Sequence, residues 1–139
     1  MVGLTAMALP AKPPESALSI LVVDDDPMLR KLLARVLERH GYRAVLAPDT
    51  ASALDRCGEA LPSLALVDLG LGTAEGTDFV EELRTRFGED APPIVLLTGR
   101  EGSTQIGERV GAVATLAKPC HVAELLGVLR VHARARPRG

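Results

Sequence analysis

Five short apolar segments, separated by stretches with helical periodicity, constrain the fold of this chain more than any other feature of its sequence. They cover residues 18–23, 43–47, 64–67, 93–97 and 113–116. Four of the five are almost purely apolar, which is typical of strands that are covered by helices on both faces of a sheet. Because each segment is followed by a helical pattern, the sequence predicts a five-stranded, doubly wound parallel sheet of the α/β class.

Residues that commonly begin and end helices flank the stretches between these strands. Asp26 can cap a helix that starts at Pro27, a residue favoured in the first turn, and Gly41 follows its last turn. Further helices are predicted after the cap Asp49 over residues 51–59, from the cap Thr77 to Gly88, over residues 121–133 and, more weakly, over residues 104–110.

Composition is that of a globular protein and excludes several classes of function. The 139 residues are 47% apolar and 24% charged, which suits one domain with a large core. One tyrosine and two phenylalanines are too few for the aromatic platform on which single-stranded nucleic acid stacks. A net charge of -2 gives no field that would attract nucleic acid or a membrane surface, and no apolar run approaches the roughly 18 residues of a membrane span.

The two ends of the chain differ in composition from the part between them. Residues 1–16 are rich in proline and small residues and are expected to form a flexible leader, without the basic residues that open a secretory signal. Residues 17–134 are expected to form the domain, and residues 135–139 a solvated basic tail. If the printed chain is complete, no residues remain for an effector domain, and output is expected to go through protein contacts.

Neither of the two cysteines has the spacing of a metal site or a redox motif. Cys57 lies on a predicted helix and is expected to be a small core or boundary residue, and packing is also the better explanation for Cys120. Because a domain with this much apolar core does not need a disulfide, both cysteines are predicted to be reduced and the chain to be cytoplasmic.

The side chains with the most versatile chemistry fall at the carboxyl ends of the predicted strands, where sheets of this class bind ligands. Asp24 and Asp25 follow the first strand, Asp68 ends the third, Thr98 ends the fourth, and Lys118 lies just beyond the fifth. Clustered carboxylates repel one another, and a hard divalent cation such as Mg²⁺ relieves the repulsion through oxygen ligands. The sequence therefore predicts a magnesium site that includes Asp25 and Asp68.

Asp68 differs from the other acidic residues because a glycine-rich segment follows it, which leaves its carboxylate approachable. Carboxylates form acyl phosphates when a phosphoryl group is oriented and neutralised beside them. The Lys118 ammonium can pair with the phosphoryl oxygens, and the Thr98 hydroxyl can donate a hydrogen bond to one of them. Asp26 needs no role in this chemistry, since its position favours a helix cap.

Four segments of the chain together resemble a known family, the receiver domain of two-component response regulators. They are "ILVVDDDP", "LALVDLGLGTAEG", "PIVLLTG" and "GAVATLAKP", which occur in the family's order and near its spacing. Each motif is weak alone, but four in register are specific, and the resemblance covers residues 18–134. It implies a flavodoxin-like fold with strand order 2-1-3-4-5 and helices on both faces of the sheet.

The resemblance also implies roles in phosphoryl transfer for three residues. Asp68 is the expected phosphoacceptor, and Thr98 and Lys118 are the expected phosphate-binding switch residues. The family further implies a cis peptide between Lys118 and Pro119. The chain is therefore expected to be a switch with slow self-dephosphorylation rather than a turnover enzyme.

The metal ligands and the partners are likewise implied by the resemblance. Asp25, Asp68 and the Gly70 carbonyl are expected to bind Mg²⁺ directly, with Asp24 acting mainly through water. The expected phosphodonor is a histidine kinase or a histidine phosphotransfer protein, and the downstream protein partner is unknown. The chain is expected to be a monomer or weak homodimer, and its charge and the lack of a long apolar run disfavour binding to membrane or nucleic acid.

The sequence departs from the family at several positions near the predicted site. Thr115 occupies the position of an aromatic residue whose inward rotation reports phosphorylation, and Cys120 stands where phenylalanine commonly follows the Lys-Pro pair. Gly72 replaces a common proline, Gly99 replaces a small Ala or Ser, and the interval between the threonine and the lysine is slightly short. The short helix predicted over residues 104–110 is therefore expected to be truncated or loosely formed. The surface through which the family usually contacts its downstream partners is expected to be altered.

Two other functions remain open from the sequence. One is a binding module with the receiver fold that is never phosphorylated, which Thr115 and Cys120 favour. The other is a small phosphatase resembling the haloacid dehalogenase superfamily, with Asp24 as nucleophile and Asp26 as acid/base in a D-x-D arrangement after an apolar strand. That chemistry also requires a downstream carboxylate pair on another strand end, which the sequence lacks.

Overall fold

The structure is a computed structural model that describes residues 17–68, 73–99, 108, 110–118 and 120–134, with the backbone alone described for residues 73–75. Strands and helices alternate along them as β1 (Ser19–Val23), α1 (Pro27–Arg39), β2 (Arg43–Ala47), α2 (Thr50–Glu59), β3 (Leu64–Asp68), α3 (Thr73–Phe87), a 3₁₀ helix (Gly88–Asp90), β4 (Ile94–Thr98), β5 (Ala114–Ala117) and α4 (Val122–His132). The strands form one parallel sheet in the order β2-β1-β3-β4-β5, which confirms the predicted doubly wound fold.

The register of the sheet brings the carboxyl ends of its strands together. Val23, the last residue of β1, pairs with Ala47 of β2 and with Val67 of β3, and Thr98 of β4 pairs with Ala117 of β5. We call the edge formed by the last residues of the five strands, and by the residues that follow them, the carboxyl edge. The opposite edge, where the strands begin, is the amino edge.

Alternating side chains of the central strands bury two hydrophobic cores, one on each face of the sheet. On one face, Leu21 of β1 packs in a cluster that contains residues of α2 and α3, including Phe79. On the other face, Ile20 belongs to a cluster with residues of α1 and α4. Each fully buried aliphatic side chain contributes about 1.5–3 kcal/mol, so the two cores together fix the sheet that carries the carboxyl edge.

The first two helices begin at the caps that the sequence predicts. Oδ1 of Asp26 accepts a hydrogen bond of 3.0 Å from the Met28 backbone N–H, and Oδ1 of Asp49 accepts one of 2.8 Å from that of Ser52. Gly41 follows the end of α1 with a φ of 89°, a left-handed conformation that favours glycine. The predicted glycine stop is therefore confirmed.

The predicted start of the third helix is wrong. α3 begins at Thr73, so Thr77 lies inside the helix and is not its cap. The glycine-rich segment that follows Asp68 ends at Gly76 and suggested a loop, but glycine in a helix interior costs only about 1 kcal/mol. Burial of the apolar face of α3, where Phe79 is 2% exposed, offsets that cost. The helix ends before Gly88, as predicted.

The other described boundaries lie close to those predicted from the sequence. β4 and β5 begin one residue later than expected, and β3 continues through Asp68. Of the predicted short helix over residues 104–110, only Glu108 and Val110 are described, and both are helical. α4 runs within the predicted range.

Several predictions concern residues outside the described part of the chain. These are the leader at residues 1–16, the basic tail at residues 135–139, the Gly70 carbonyl, the replacement at Gly72 and the peptide between Lys118 and Pro119. Among the helices that are described, none combines the length and the apolar character needed to cross a membrane.

Candidate functional site

Three of the predicted site residues are buried polar side chains at the carboxyl edge. Asp24 is 0% exposed, Asp68 is 3% exposed and Thr98 is 4% exposed, whereas Asp25 is exposed. Asp68 and Thr98 end adjacent strands. Asp24 directly follows β1, the strand that lies between β2 and β3 in the sheet. The structure therefore brings together the acidic residues that the sequence placed on separate strands.

The Asp24 side chain and backbone are held by three hydrogen bonds. Its N–H donates to the Ala47 carbonyl of β2 at 3.1 Å. Its Oδ1 accepts from the Asp26 N–H at 2.9 Å, and its carbonyl accepts from Nη1 of Arg30 at 2.6 Å. The other carboxylate oxygen, Oδ2, is buried and has no hydrogen-bond partner among the described residues.

Lys118 supplies the positive charge that the sequence predicts at this edge. Its Nζ lies 2.6 Å from Oδ2 of Asp68 and 3.6 Å from Oδ2 of Asp24. The first distance is a charge-assisted hydrogen bond, whereas the second is a Coulombic contact that is too long for one. The Lys118 N–H donates to the Thr98 carbonyl at 2.8 Å, which fixes the lysine beside the ends of β4 and β5.

Burial raises the pKa of Asp24, and the nearby negative charge of Asp68 raises it further. The Asp26 N–H and the Lys118 ammonium act in the opposite direction, but they do not cancel the effect of burial. Ionised Asp24 is therefore unfavourable in the protein alone, and it gains from any additional positive charge beside Oδ2.

The carboxylates fit a divalent cation. One oxygen from each of Asp24, Asp25 and Asp68 can be chosen so that all three lie within 4.8 Å of one another. Hard divalent cations prefer carboxylate oxygens, and a buried oxygen without a hydrogen-bond partner is a ready ligand, directly or through water. The cluster and the pKa of Asp24 thus both point to a metal site.

Asp26 takes no part in this cluster. Its Oδ1 accepts hydrogen bonds from the N–H groups of Met28 and Leu29 at 3.0 and 3.4 Å, so the cap interpretation is confirmed. An oxygen that accepts two backbone hydrogen bonds is poorly placed to exchange protons with a substrate. This arrangement disfavours the phosphatase hypothesis, in which Asp26 is the acid/base.

Two of the residues that depart from the family pattern, Thr115 and Cys120, lie in the described part of the chain on either side of Lys118 in the sequence. Thr115 is half-buried on β5, and Cys120 is half-buried between β5 and α4. Burial raises the pKa of the Cys120 thiol, which disfavours the reactive thiolate. Cys57 is 2% exposed in the core, as predicted, and neither cysteine forms a disulfide.

Arg30 is the contact that sequence reasoning missed. An arginine on a helix is usually a solvated charge. The helical pattern gives no sign that Arg30 differs in its contacts from the basic residues around it. Its position in the first turns of a helix that begins beside clustered carboxylates was the available signal. A side chain as long as that of arginine can reach back from there to the preceding strand end.

Known proteins share both the sequence and the fold. The family model for the response regulator receiver domain matches residues 20–130. The DNA-binding response regulator MtrA of Mycolicibacterium smegmatis is 39% identical over 119 residues, covering 84% of this chain and 50% of MtrA. The acid tolerance regulatory protein ActR of Sinorhizobium medicae is 33% identical over 113 residues, covering 80% of this chain and 57% of ActR.

Solved structures give the same result. The chemotaxis protein CheY4 of Vibrio cholerae superposes with a TM-score of 0.76 at 28% identity, covering 84% of this chain and 98% of CheY4. The BeF3-activated N-terminal receiver domain of RstA from Klebsiella pneumoniae superposes with a TM-score of 0.71 at 30% identity, covering 82% and 97%. The chain spans about half the length of the curated relatives that it matches. The match of the family model over most of the chain, together with these likenesses, shows that the chain belongs to the response regulator receiver domain family.

Proposed function

We propose that this receiver domain accepts a phosphoryl group on Asp68 and thereby changes its contacts with other proteins. The observation that carries the proposal is the 2.6 Å contact between Nζ of Lys118 and Oδ2 of Asp68, at an edge where Asp24, Asp25 and Asp68 form a cluster that could hold a metal ion. A lysine and a metal site on either side of one carboxylate suit the transfer of a group with several negative oxygens.

In the proposed reaction, a carboxylate oxygen of Asp68 attacks the phosphorus of a phosphorylated histidine. The new phosphorus–oxygen bond forms while the phosphorus–nitrogen bond breaks, and its electron pair returns to the imidazole ring. Water later attacks the aspartyl phosphate and releases inorganic phosphate, which restores the carboxylate. The chain therefore acts as a switch that resets slowly, not as a turnover enzyme.

Lys118 and Thr98 are the proposed partners of the transferred group. Lys118 already contacts the Asp68 carboxylate, so its ammonium can neutralise charge on the phosphoryl oxygens without first moving into place. Thr98 ends the strand next to β3, and its hydroxyl is proposed to donate a hydrogen bond to a phosphoryl oxygen. Because its carbonyl accepts from the Lys118 N–H, the two residues are coupled through the backbone.

Mg²⁺ is the proposed cofactor. Asp25 and Asp68 would bind it directly and Asp24 mainly through water, with the Gly70 carbonyl as a further ligand from outside the described residues. Bound Mg²⁺ supplies positive charge that offsets the charge of the phosphoryl oxygens during transfer.

An apolar surface beside the site supports a protein as phosphodonor. A cavity of about 340 Å³ lies between α1 and the start of α4, with Leu33, Leu97 and Lys118 among its lining residues. Leu32, which also lines it, is 57% exposed, and neighbouring Met28 is 78% exposed. Exposed apolar groups next to a polar site are typical of a protein-binding surface. We propose that a histidine kinase or histidine phosphotransfer protein docks there.

The environment of the chain is a further part of the proposal. Cys57 is buried in the core and Cys120 is a half-buried thiol, and neither contributes a disulfide, which suits a reducing compartment. We propose a cytoplasmic location and a monomer or weak homodimer.

The experiment that tests phosphorylation is incubation with acetyl phosphate and Mg²⁺ followed by intact mass spectrometry. One phosphoryl adduct is expected on the wild-type chain and on Asp55→Asn, a control that removes an exposed carboxylate from α2. Asp68→Asn is expected to remain unmodified. Absence of an adduct on the wild type, or an adduct that persists in Asp68→Asn, would show that the proposal is wrong.

The docking surface needs a separate test. Leu32→Glu places a charge in the apolar surface without changing any of the proposed phosphorylation residues. Phosphotransfer from a histidine kinase that phosphorylates the wild type is expected to slow at least about tenfold, because a charge in a packed interface costs more than about 1.4 kcal/mol. Labelling by acetyl phosphate is expected to be unchanged. If the rates of phosphorylation by the kinase and by acetyl phosphate fell equally, Leu32 would contribute to the stability of the fold and not to docking.

A further inference from the structure

We infer that Arg30 is a positioning residue for the metal-binding carboxylates, an inference that rests on the proposed function. Nη1 of Arg30 donates a hydrogen bond of 2.6 Å to the Asp24 carbonyl. Arg30 lies on α1 and Asp24 lies just beyond β1, so the side chain reaches back past the helix start to the carboxyl edge. It is half-buried, and so the contact is partly shielded from water.

The carbonyl that Arg30 contacts belongs to the peptide unit between Asp24 and Asp25. Because a peptide unit is planar, the direction of this carbonyl also sets the direction of the Asp25 N–H and of the chain that enters Asp25. A hydrogen bond from a guanidinium is stronger than one between neutral groups. One contact therefore orients the backbone from which both metal-binding carboxylates extend.

Arg30 also completes the set of contacts that leaves one oxygen of Asp24 available. The Asp24 N–H donates to the Ala47 carbonyl at 3.1 Å, and Oδ1 accepts from the Asp26 N–H at 2.9 Å. With Arg30 on the carbonyl, Oδ2 is the polar atom of Asp24 that lacks a hydrogen-bond partner in the described part of the chain. The same oxygen lies 3.6 Å from Nζ of Lys118. Arg30 thus helps to aim Oδ2 at the metal cluster.

The next residue along the chain provides a matched control. Lys31 carries the same charge as Arg30 and is exposed on α1. It makes no hydrogen bond or ion pair with an acidic residue among those that the structure describes. Replacing Lys31 removes one positive charge from the same turn of the helix without removing the contact to the Asp24 carbonyl.

The experiment compares Mg²⁺ binding by Arg30→Met, Arg30→Lys and Lys31→Met. Isothermal titration calorimetry gives the dissociation constant for each variant, and urea unfolding in Mg²⁺-free buffer gives its stability. Loss of a residue that orients metal ligands typically weakens metal binding about 10- to 100-fold, which is the increase in dissociation constant expected for Arg30→Met. Lys31→Met is expected to stay within about twofold of wild type, since exposed charges contribute little. Arg30→Lys is expected to fall between them, because lysine lacks the planar fork of arginine.

Three outcomes would overturn the inference. The first is an Mg²⁺ dissociation constant for Arg30→Met within about twofold of wild type. If the urea midpoint falls in that variant while the affinity is kept, Arg30 has only a structural role. This outcome does not bear on the proposed phosphorylation of Asp68. If Arg30→Met does not fold, Arg30→Lys decides: wild-type Mg²⁺ affinity in that variant overturns the inference, and weakened affinity supports it. A wild-type chain that does not bind Mg²⁺ overturns both the inference and the proposed metal site.

Discussion

One buried polar residue at each edge of the sheet, Ser63 and Asp24, differs from the other in how its side chain is hydrogen-bonded. At the amino edge, Ser63 is 2% exposed, its N–H and carbonyl are bonded to Ser19 and Arg134, and its hydroxyl oxygen accepts from the Ser19 N–H at 3.2 Å. At the carboxyl edge, Asp24 is 0% exposed, and its Oδ2 has no hydrogen-bond partner among the described residues, with the Lys118 ammonium 3.6 Å away. Buried polar groups that are hydrogen-bonded stabilise a fold. A buried charge without a hydrogen bond lowers stability, and proteins retain such a charge where it binds a ligand. The comparison separates an edge where a buried polar side chain stabilises the fold from the edge that carries the candidate site.

The largest expected loss of stability is at the amino edge, in Gly111→Val. Gly111 has a φ of 76°, and a Cβ there would collide with the guanidinium of Arg84, whose Nη2 donates to the Gly111 carbonyl at 3.2 Å. A branched side chain in this conformation is expected to cost about 2–3 kcal/mol of unfolding free energy, measured by urea denaturation. Gly58→Ala, in a helix with open space around it, is the control and is expected to be neutral or stabilising. Unchanged stability in Gly111→Val would show that the conformation of Gly111 does not contribute to the stability of the amino edge.

The opposite sign is expected at the carboxyl edge, in Asp24→Asn. Asparagine keeps the oxygen that accepts from the Asp26 N–H and removes the buried charge beside Asp68. In Mg²⁺-free buffer the variant is expected to be about 1–3 kcal/mol more stable than wild type, and its affinity for Mg²⁺ is expected to be lower. Asp55→Asn, an exposed site, is expected to change stability by less than about 0.5 kcal/mol. A destabilised Asp24→Asn would mean that the Asp24 charge is already balanced by Lys118.

A smaller loss is expected for Ser63→Ala. The change leaves the half-buried Ser19 N–H without the acceptor that the buried Ser63 hydroxyl supplies. The expected cost is about 1–2 kcal/mol in urea unfolding, with Mg²⁺ affinity unchanged because the metal cluster lies at the other edge. Thr85→Ala, an exposed site on α3, is the control. Loss of Mg²⁺ affinity in Ser63→Ala would show that the two edges are coupled.

The smallest effects on stability are expected from a change in pH. Ionisation of Asp49 and of Asp24, two carboxyl groups of the carboxyl edge, is expected to change the unfolding free energy in opposite directions. Hydrogen bonds from the backbone and hydroxyl of Ser52 lower the pKa of Asp49 below 3.8, so its ionised form stabilises the fold above 3.8 and that contribution is lost as pH falls through the lower value. Burial raises the pKa of Asp24 above 3.8, so its ionised form destabilises the fold at higher pH, and the penalty disappears as pH falls towards 3.8.

Urea unfolding at a series of pH values in Mg²⁺-free buffer measures both contributions. The stability advantage of Asp24→Asn over wild type is expected to shrink as pH falls, and the disadvantage of Asp49→Asn is expected to shrink as well. Asparagine retains capping ability, which isolates the charge of Asp49 from its cap. If the advantage of Asp24→Asn did not depend on pH, burial of its charge would not be the cause.

Much of the fold follows from local patterns in the sequence. The five apolar segments predicted the strands because buried parallel strands have few polar residues to obscure their limits. The start of α3 was missed because Gly76 favours a loop locally, while the burial that sustains the helix comes from tertiary contacts of Phe79. Propensity describes a residue in isolation, and packing decided this boundary.

The candidate site was predictable to the level of residues but not of atoms. Strand ends of a parallel sheet meet at one edge, so Asp24, Asp68 and Lys118 could be placed together from the sequence. The pairing of Lys118 with both carboxylates, and the reach of Arg30 to the Asp24 carbonyl, depend on side-chain directions that no sequence pattern specifies. Those contacts give the acidic cluster the geometry of a candidate metal site.

The central claim is that the carboxylates of the carboxyl edge are arranged to be balanced by a divalent cation. Urea unfolding of the wild-type chain over a series of Mg²⁺ concentrations tests it most directly. Binding to the folded state alone is expected to raise stability continuously with Mg²⁺, by about 2.7 kcal/mol at a concentration 100-fold above the dissociation constant, and to raise the stability of Asp24→Asn less at the same concentration. Stability that does not depend on Mg²⁺ in the wild type, or that rises equally in Asp24→Asn, would contradict the account.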